Sequence, residues 1–290
     1  MPTLTDPAVI KELLQRHGFS FSRTLGQNFI INPGVCPKMA ELGGAAPGVG
    51  VLEIGPGFGV LTAELCRRAE KVVAIELDDR LPPILAETLA EFKNVTIVQG
   101  DAMVLDLPAL IAEHFAGMPV VVCANLPYYI TSPIIMRLLE GPLPIRSLTV
   151  MVQKEAAVRI TAAPGTRECG AISAAVWYYY STPKLLFPVS RGSFLPAPAV
   201  DSAVIRLDLP QELPEDLPPR EDFFAVVRAG FGQRRKTMLN SLSAGLRWEK
   251  DATRALLTAA GIAENARAEQ VTLEQWKALT RAYFSMKKSR

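Results

Sequence analysis

Histidine is nearly missing from this 290-residue chain: only His17 and His114 occur. Zinc sites and histidine-based triads have almost nothing to be built from. His17 precedes Gly18 at an expected helix end and His114 lies within an expected helix, so both read as satisfied or solvated side chains. The four cysteines, Cys36, Cys66, Cys123 and Cys169, are far apart and show neither metal nor redox spacing. They read as reduced, mostly buried thiols, and no metal is expected. No apolar run approaches the ~20 residues that a membrane helix needs. The first six residues carry neither the basic start nor the apolar segment of a secretory leader, so the expectation is a cytoplasmic protein with no membrane association.

Net charge is also scarce, at +2, but its distribution is uneven. Residues 219–290 hold 14 Lys/Arg against 7 Asp/Glu, whereas the first 218 residues hold 17 against 22. The asymmetry fits a polyanion partner for the C-terminal part, or a solvated helical surface. Hydrophobic residues reach 49%, enough for a sizeable core in one large domain or two.

Strand-like runs punctuate the first half. Val51-Leu52-Glu53-Ile54 runs straight into Gly55-Pro56-Gly57-Phe58-Gly59, and a helix with Leu61 and Leu65 on its apolar side follows. Strand, glycine turn and helix form the nucleotide-cofactor arrangement of doubly wound folds. The third glycine comes one place too early for a dinucleotide fingerprint. Glu53 adds a carboxylate beside the loop, which is awkward for a diphosphate and suits a cationic ligand such as S-adenosylmethionine. The next strand ends in Glu76, 21 residues after Gly55. That is close to the spacing of about 20 at which a carboxylate meets ribose hydroxyls. A third strand, from Val95, ends in Asp101, placed to accept from an exocyclic amine. A fourth, Val120-Val121-Val122, leads into Cys123-Ala124-Asn125-Leu126-Pro127-Tyr128-Tyr129. There an amide, a free carbonyl and a flat ring are offered together at a strand end, a fit for the N6 amine of adenine. Taken alone, Asn before Leu-Pro is an ordinary turn.

These segments together resemble the class I S-adenosylmethionine-dependent methyltransferases. More closely they resemble the ribosomal RNA adenine N6-dimethyltransferase family, and within it the small-subunit dimethyladenosine transferases. The resemblance covers almost the whole chain. It includes Leu25-Gly26-Gln27-Asn28-Phe29 near the start, Met151–Ile160, the stretch from Phe194 through Pro196 and Pro198 to Ser202, and Phe231–Asn240. The chain departs from the family pattern at Asn32 and Ala199. The resemblance implies a Rossmann-like α/β methyltransferase domain over 1–208, a linker over 209–219 and a small all-helical RNA-binding domain over 220–290. It implies S-adenosylmethionine held by Gln27, Asn28, Ile30, Glu53, Gly55, Gly57, Glu76, Leu77, Asp101, Ala102 and Asn125. Asn125, Leu126 and Tyr128 are the implied catalytic residues. Phe194 is implied against the other face of the base, although the residues alone equally allow a core Phe before a proline turn. Arg234, Arg235 and Lys236 are the implied RNA contacts, and a helix interface with exposed cations is the alternative.

The function implied is dimethylation of N6 on two adjacent adenines near the 3′ end of 16S rRNA. The implied partner is that rRNA in the assembling 30S subunit, and the enzyme is expected to be a monomer. A 23S rRNA methyltransferase of the antibiotic-resistance type and a noncatalytic RNA-binding assembly factor are the alternatives. A DNA adenine methyltransferase fits less well, because Pro is usual where Leu126 stands.

Overall fold

The computed structural model describes residues 4–21, 27–141, 143–179, 182–210, 217–233 and 235–288. The start follows from local chemistry. The Asp6 carboxylate accepts from Ala8 N at 2.8 Å, Pro7 takes the first helical position, and the helix Pro7–Arg16 closes at His17 before Gly18 at φ 59°.

Nine strands follow among the described residues: β1 (Phe29–Ile30), β2 (Gly50–Ile54), β3 (Lys71–Glu76), β4 (Val95–Gln99), β5 (Val120–Asn125), β6 (Ile145–Gln153), β7 (Thr182–Val189), β8 (Phe194–Leu195) and β9 (Ser202–Asp208). Seven form one sheet in the order β4-β3-β2-β5-β6-β9-β7. Strands β2 to β6 run parallel, and β9 is antiparallel to β6. The apolar runs at 51–54, 72–75 and 120–124 are buried because helices cover parallel strands on both faces. The order reverses between β2 and β5, and open α/β sheets bind their ligands at that switch point. Register opens the sheet there. β2 pairs with β5 only over Gly50–Leu52 and Val120–Val122, yet β2 continues along β3 to Ile54, and β5 along β6 to Asn125. The two central strands therefore part at their C-terminal ends.

The chain divides into two compact units. The first holds 1–134, 142–157 and 184–209, which includes the switch point. The second holds 135–141, 158–183 and 210–290. The segments 135–141 and 158–183 thus cluster with the C-terminal helices and not with the sheet. The helix Ala171–Tyr178 shows why. It is apolar nearly all round, with Ile172, Ala174, Ala175, Val176 and Tyr178 buried, and it packs on the helices Arg220–Phe231 and Leu273–Lys288. Tyr178 stacks on Phe223 with ring centroids 3.6 Å apart. Arg220 donates to the carbonyls of Leu139 and Gly141 at 2.7 and 2.9 Å, tying 135–141 into the same unit. Part of the expected linker, 211–216, lies outside the described residues.

Gly50 marks a packing limit in the centre of the sheet. A Cβ there would sit 2.3 Å from the ring of Phe115, a side chain with 1% exposure and no room to retreat. Gly50→Ala is expected to lower stability by about 1–3 kcal/mol, as overpacking does. Urea unfolding of the two proteins checks this, and an unchanged midpoint would contradict it.

Candidate functional site

The parting of β2 and β5 opens a cleft of about 1000 Å³, counted out to its mouth. Its floor is the loop after β2. Gly55, Gly57 and Gly59 take φ values of 73°, 59° and 85°, which other residues adopt only under strain. Phe58, at the middle of the loop, is 1% exposed and stacks on Phe29 at 3.8 Å between centroids. The same Phe29 ring comes within 2.9 Å of where a Gly57 Cβ would stand. The loop is therefore clamped by aromatic packing, with its backbone bare toward the cleft.

Three carboxylates surround it. Glu53, 1% exposed, has one oxygen with no hydrogen-bond partner, and the nearby Thr62 hydroxyl relieves the charge only in part. Burial raises its pKa to about 8. A buried, unpartnered carboxyl oxygen beside a bare glycine loop is suited to an ammonium or a sulfonium. Glu76 accepts from Asp78 N at 2.8 Å and Gly57 N at 3.3 Å. Burial raises its pKa, and those two N–H groups partly offset the rise. Asp101 uses one oxygen on Met103 N at 2.7 Å.

The opposite wall is the turn after β5. Asn125 donates its amide N–H to the Asn28 carbonyl at 3.4 Å, which leaves the amide oxygen as an acceptor. Leu126 N donates to the Met151 carbonyl at 3.2 Å, while the Leu126 carbonyl accepts nothing among the described residues. The Tyr128 hydroxyl lies 2.7 Å from Ser202 Oγ. Burial pushes the Tyr128 phenol above its usual range, and the Ser202 hydrogen bond partly offsets that.

Gln27, Asn28, Ile30, Glu53, Gly55, Gly57, Glu76, Leu77, Asp101, Ala102, Asn125, Leu126 and Tyr128 all line this one cleft. Phe194 does not. Its strand β8 pairs antiparallel with β1, opposite Ile30, and the ring is 3% exposed in a hydrophobic cluster with Ile30, Val35 and Met39. The core reading of Phe194 describes this arrangement. Arg235 and Lys236 are exposed and make no salt bridge among the described residues, and Arg234 lies outside them.

Two residues escaped the sequence reading. Asp78, two residues past Glu76, is 5% exposed. It accepts from Gln27 Nε2 at 2.7 Å and pairs with Arg80 at 2.6 Å, contacts that hold its carboxyl below the usual range. It ties Gln27 to the end of β3. Tyr129 stands 52% exposed at the cleft. A second aromatic directly after Tyr128 was its only signal.

The family profile described as "Ribosomal RNA adenine dimethylase" matches residues 18–283. A Ribosomal RNA small subunit methyltransferase A from Alkaliphilus oremlandii is 46% identical over 281 residues, covering 96% of this chain and 97% of that protein. One from Geobacillus thermodenitrificans is 46% identical over 283 residues, with 96% of each chain covered. Among solved structures, 23S rRNA methyltransferase ErmE superimposes with a TM-score of 0.65 at 30% identity, over 88% of this chain and 99% of that one. A dimethyladenosine transferase from Plasmodium falciparum does so with a TM-score of 0.69 at 25% identity, over 87% and 95%.

Glu53 carries a pH signature. Its folded pKa of about 8 lies above its ordinary 4.5, so between those values the folded chain binds more protons than the unfolded one. Stability from this group is full below the ordinary value and drains as pH rises toward the folded one, by up to about 1.4 kcal/mol per pH unit. Glu53→Gln is expected to flatten that fall. Urea unfolding of both ligand-free proteins between pH 6 and pH 8.5 checks it, and parallel slopes would refute it.

Proposed function

This chain belongs to the ribosomal RNA adenine dimethylase family, and from that premise we propose how its cleft works and on what. The chain is an S-adenosylmethionine-dependent methyltransferase that dimethylates N6 of two adjacent adenines near the 3′ end of 16S rRNA. Relatives at 45–46% identity over nearly the full length, which are small-subunit methyltransferases by name, support this target over the 23S alternative. Its RNA is met in the assembling 30S subunit, and the protein acts as a monomer.

The carrying observation is the pairing of walls. Bare glycine backbone and buried carboxylates lie on one side of the cleft, and two uncommitted acceptors beside a tyrosine ring lie on the other. S-adenosylmethionine supplies the electrophilic methyl. Glu53 answers its positive charge, Glu76 its ribose hydroxyls and Asp101 its adenine amine. Gln27 and Asn28, tethered through Asp78 and Asn125, close the near side.

The adenine N6 lone pair is delocalised into the ring, so N6 is a weak nucleophile. It needs placement and charge stabilisation more than it needs a base. Asn125 Oδ1 and the Leu126 carbonyl accept from the amine and hold its lone pair toward the donor. As nitrogen becomes cationic their dipoles already point at the growing charge. An amide does this without pinning a full negative charge beside the product. The proton is then lost readily to water. Tyr128 offers a stacking face worth about 1–3 kcal/mol per base. A base in a helix or stack must turn out to reach this turn. The second transfer needs one acceptor to be given up and the ring to keep its hold. Residues 220–290 carry the RNA-binding surface, with Arg234, Arg235 and Lys236 on phosphates.

Immature small-subunit particles incubated with the protein and labelled S-adenosylmethionine test the function. N6,N6-dimethyladenosine is the expected product, and its absence would sink the reading. Asn125→Ala is expected to lower transfer by at least about 100-fold and cofactor affinity by much less, since Glu53, Glu76 and Asp101 still hold the cofactor. Equal loss of both would remove Asn125 from the amine. Arg235→Ala with Lys236→Ala is expected to weaken RNA binding and to flatten its salt dependence by about 0.7 per lost phosphate contact, with cofactor binding untouched. Titration of RNA at several salt concentrations reads this.

A further inference from the structure

We propose that Ser202 is a positioning residue for methyl transfer: its hydroxyl, 2.7 Å from that of Tyr128, sets the place and axis at which the Tyr128 ring meets the target adenine. The inference rests on the reading that this turn receives an adenine.

The turn holds its own backbone but not its ring. Ile130 N and Thr131 Oγ1 both bond to the Pro127 carbonyl, at 3.2 and 3.3 Å, and neither bond touches the Tyr128 side chain. A tyrosine side chain turns about two bonds. Its hydroxyl oxygen lies on the axis of the second, so a hydrogen bond there fixes the first torsion and the line along which the ring lies. It fixes the ring plane only through the preference of the phenol O–H for that plane. The anchor itself is immobile. Ser202 is fully buried, opens β9 and faces Gln153, the last residue of β6. The residue before it is held twice: the Asp201 carbonyl accepts from Lys154 N at 3.0 Å, and its carboxylate accepts from Arg191 N at 2.9 Å.

The backbone of the turn is referenced to the same ladder. Asn125 pairs with Met151 of β6, and the Met151 carbonyl accepts from Leu126 N. The two acceptors and the stacking ring are therefore fixed to one strand pair, β6–β9, and keep a constant separation. That constancy matters most in the second transfer. The monomethylated amine has one hydrogen left to donate, so the ring carries more of the orientation. Loss of the Ser202 hydroxyl is expected to let monomethyladenosine accumulate.

The test compares wild type, Ser202→Ala, Tyr128→Phe and the double variant on immature small-subunit particles. It reads kcat, KM for the particles, the ratio of mono- to dimethylated product, cofactor affinity and urea unfolding. Each single variant is expected to lose about tenfold in kcat and to shift product toward monomethyladenosine, with cofactor affinity unchanged. The double variant is expected to lose no more than either single one, because both remove the same bond. Wild-type kcat and product ratio in Ser202→Ala would overturn the proposal. So would additive losses, or a kcat loss matched by equal losses in cofactor affinity and stability. Tyr128→Phe keeps the test open if Ser202→Ala folds poorly: a Phe variant with the wild-type product ratio overturns the proposal by itself. A wild-type protein that leaves these adenines unmethylated overturns the function reading and this inference with it. A methylating wild type with any of the other overturning results ends the inference alone.

Discussion

The site depends on a fork in the sheet. β2 and β5 share hydrogen bonds for three residues each and then follow different neighbours, β2 staying with β3 and β5 with β6. Backbone that leaves one partner must find another, because an unpaired buried N–H or C=O is costly. Here β3 and β6 keep the outer edges of the two strands paired past the fork, so the strands stay ordered while their inner edges turn to the cleft. What the two strands carry past the fork, Glu53 on one side and Asn125 on the other, then faces a space rather than each other's strand. The fork is where the order of the sheet reverses, the place at which open α/β sheets bind their ligands.

The cleft walls are held by elements far apart in sequence. The short ribbon of β1 with β8 joins the segment around Phe29 to that around Phe194, and Asn32 adds a side-chain bond to Ser193 at 3.1 Å. Phe29 in turn clamps the glycine loop through Phe58. Aromatic packing thus fixes a loop whose glycines would otherwise leave it floppy. Burial of Glu53 is the opposing term. It disfavours the carboxylate, so the binding of a cation there draws off a proton and is favoured by rising pH. The four buried thiols need no such account; Cys36, Cys66 and Cys123 have their pKa values raised chiefly by burial, which keeps them inert.

Much of this was legible before the fold. The glycine turn after an apolar run, acids at successive strand ends and Asn125-Leu126-Pro127-Tyr128 each sit where strand periodicity predicts a sheet edge, and they line one cleft. Phe194 was not legible, since the same ring suits a base pocket or a core until β8 is paired with β1. Asp78 was not legible either, because nothing local distinguishes a solvated acid from one buried under Gln27 and Arg80. The implied catalytic domain over 1–208 takes in the helix Ala171–Tyr178, and nothing local shows that this helix packs on Arg220–Phe231 and Leu273–Lys288.

The sequence by itself determined which residue types stand at which strand ends, because apolar runs, glycines and prolines act within a few residues of themselves. It also determined the cationic excess of the last part of the chain. Tertiary structure alone decided that β2 and β5 part after Leu52 and Val122, that Gln27 belongs to Asp78, and that the Tyr128 ring is held by Ser202, 74 residues away. Those are long-range pairings, chosen by whichever buried partner the whole fold brings within hydrogen-bonding distance. No local pattern encodes such a choice.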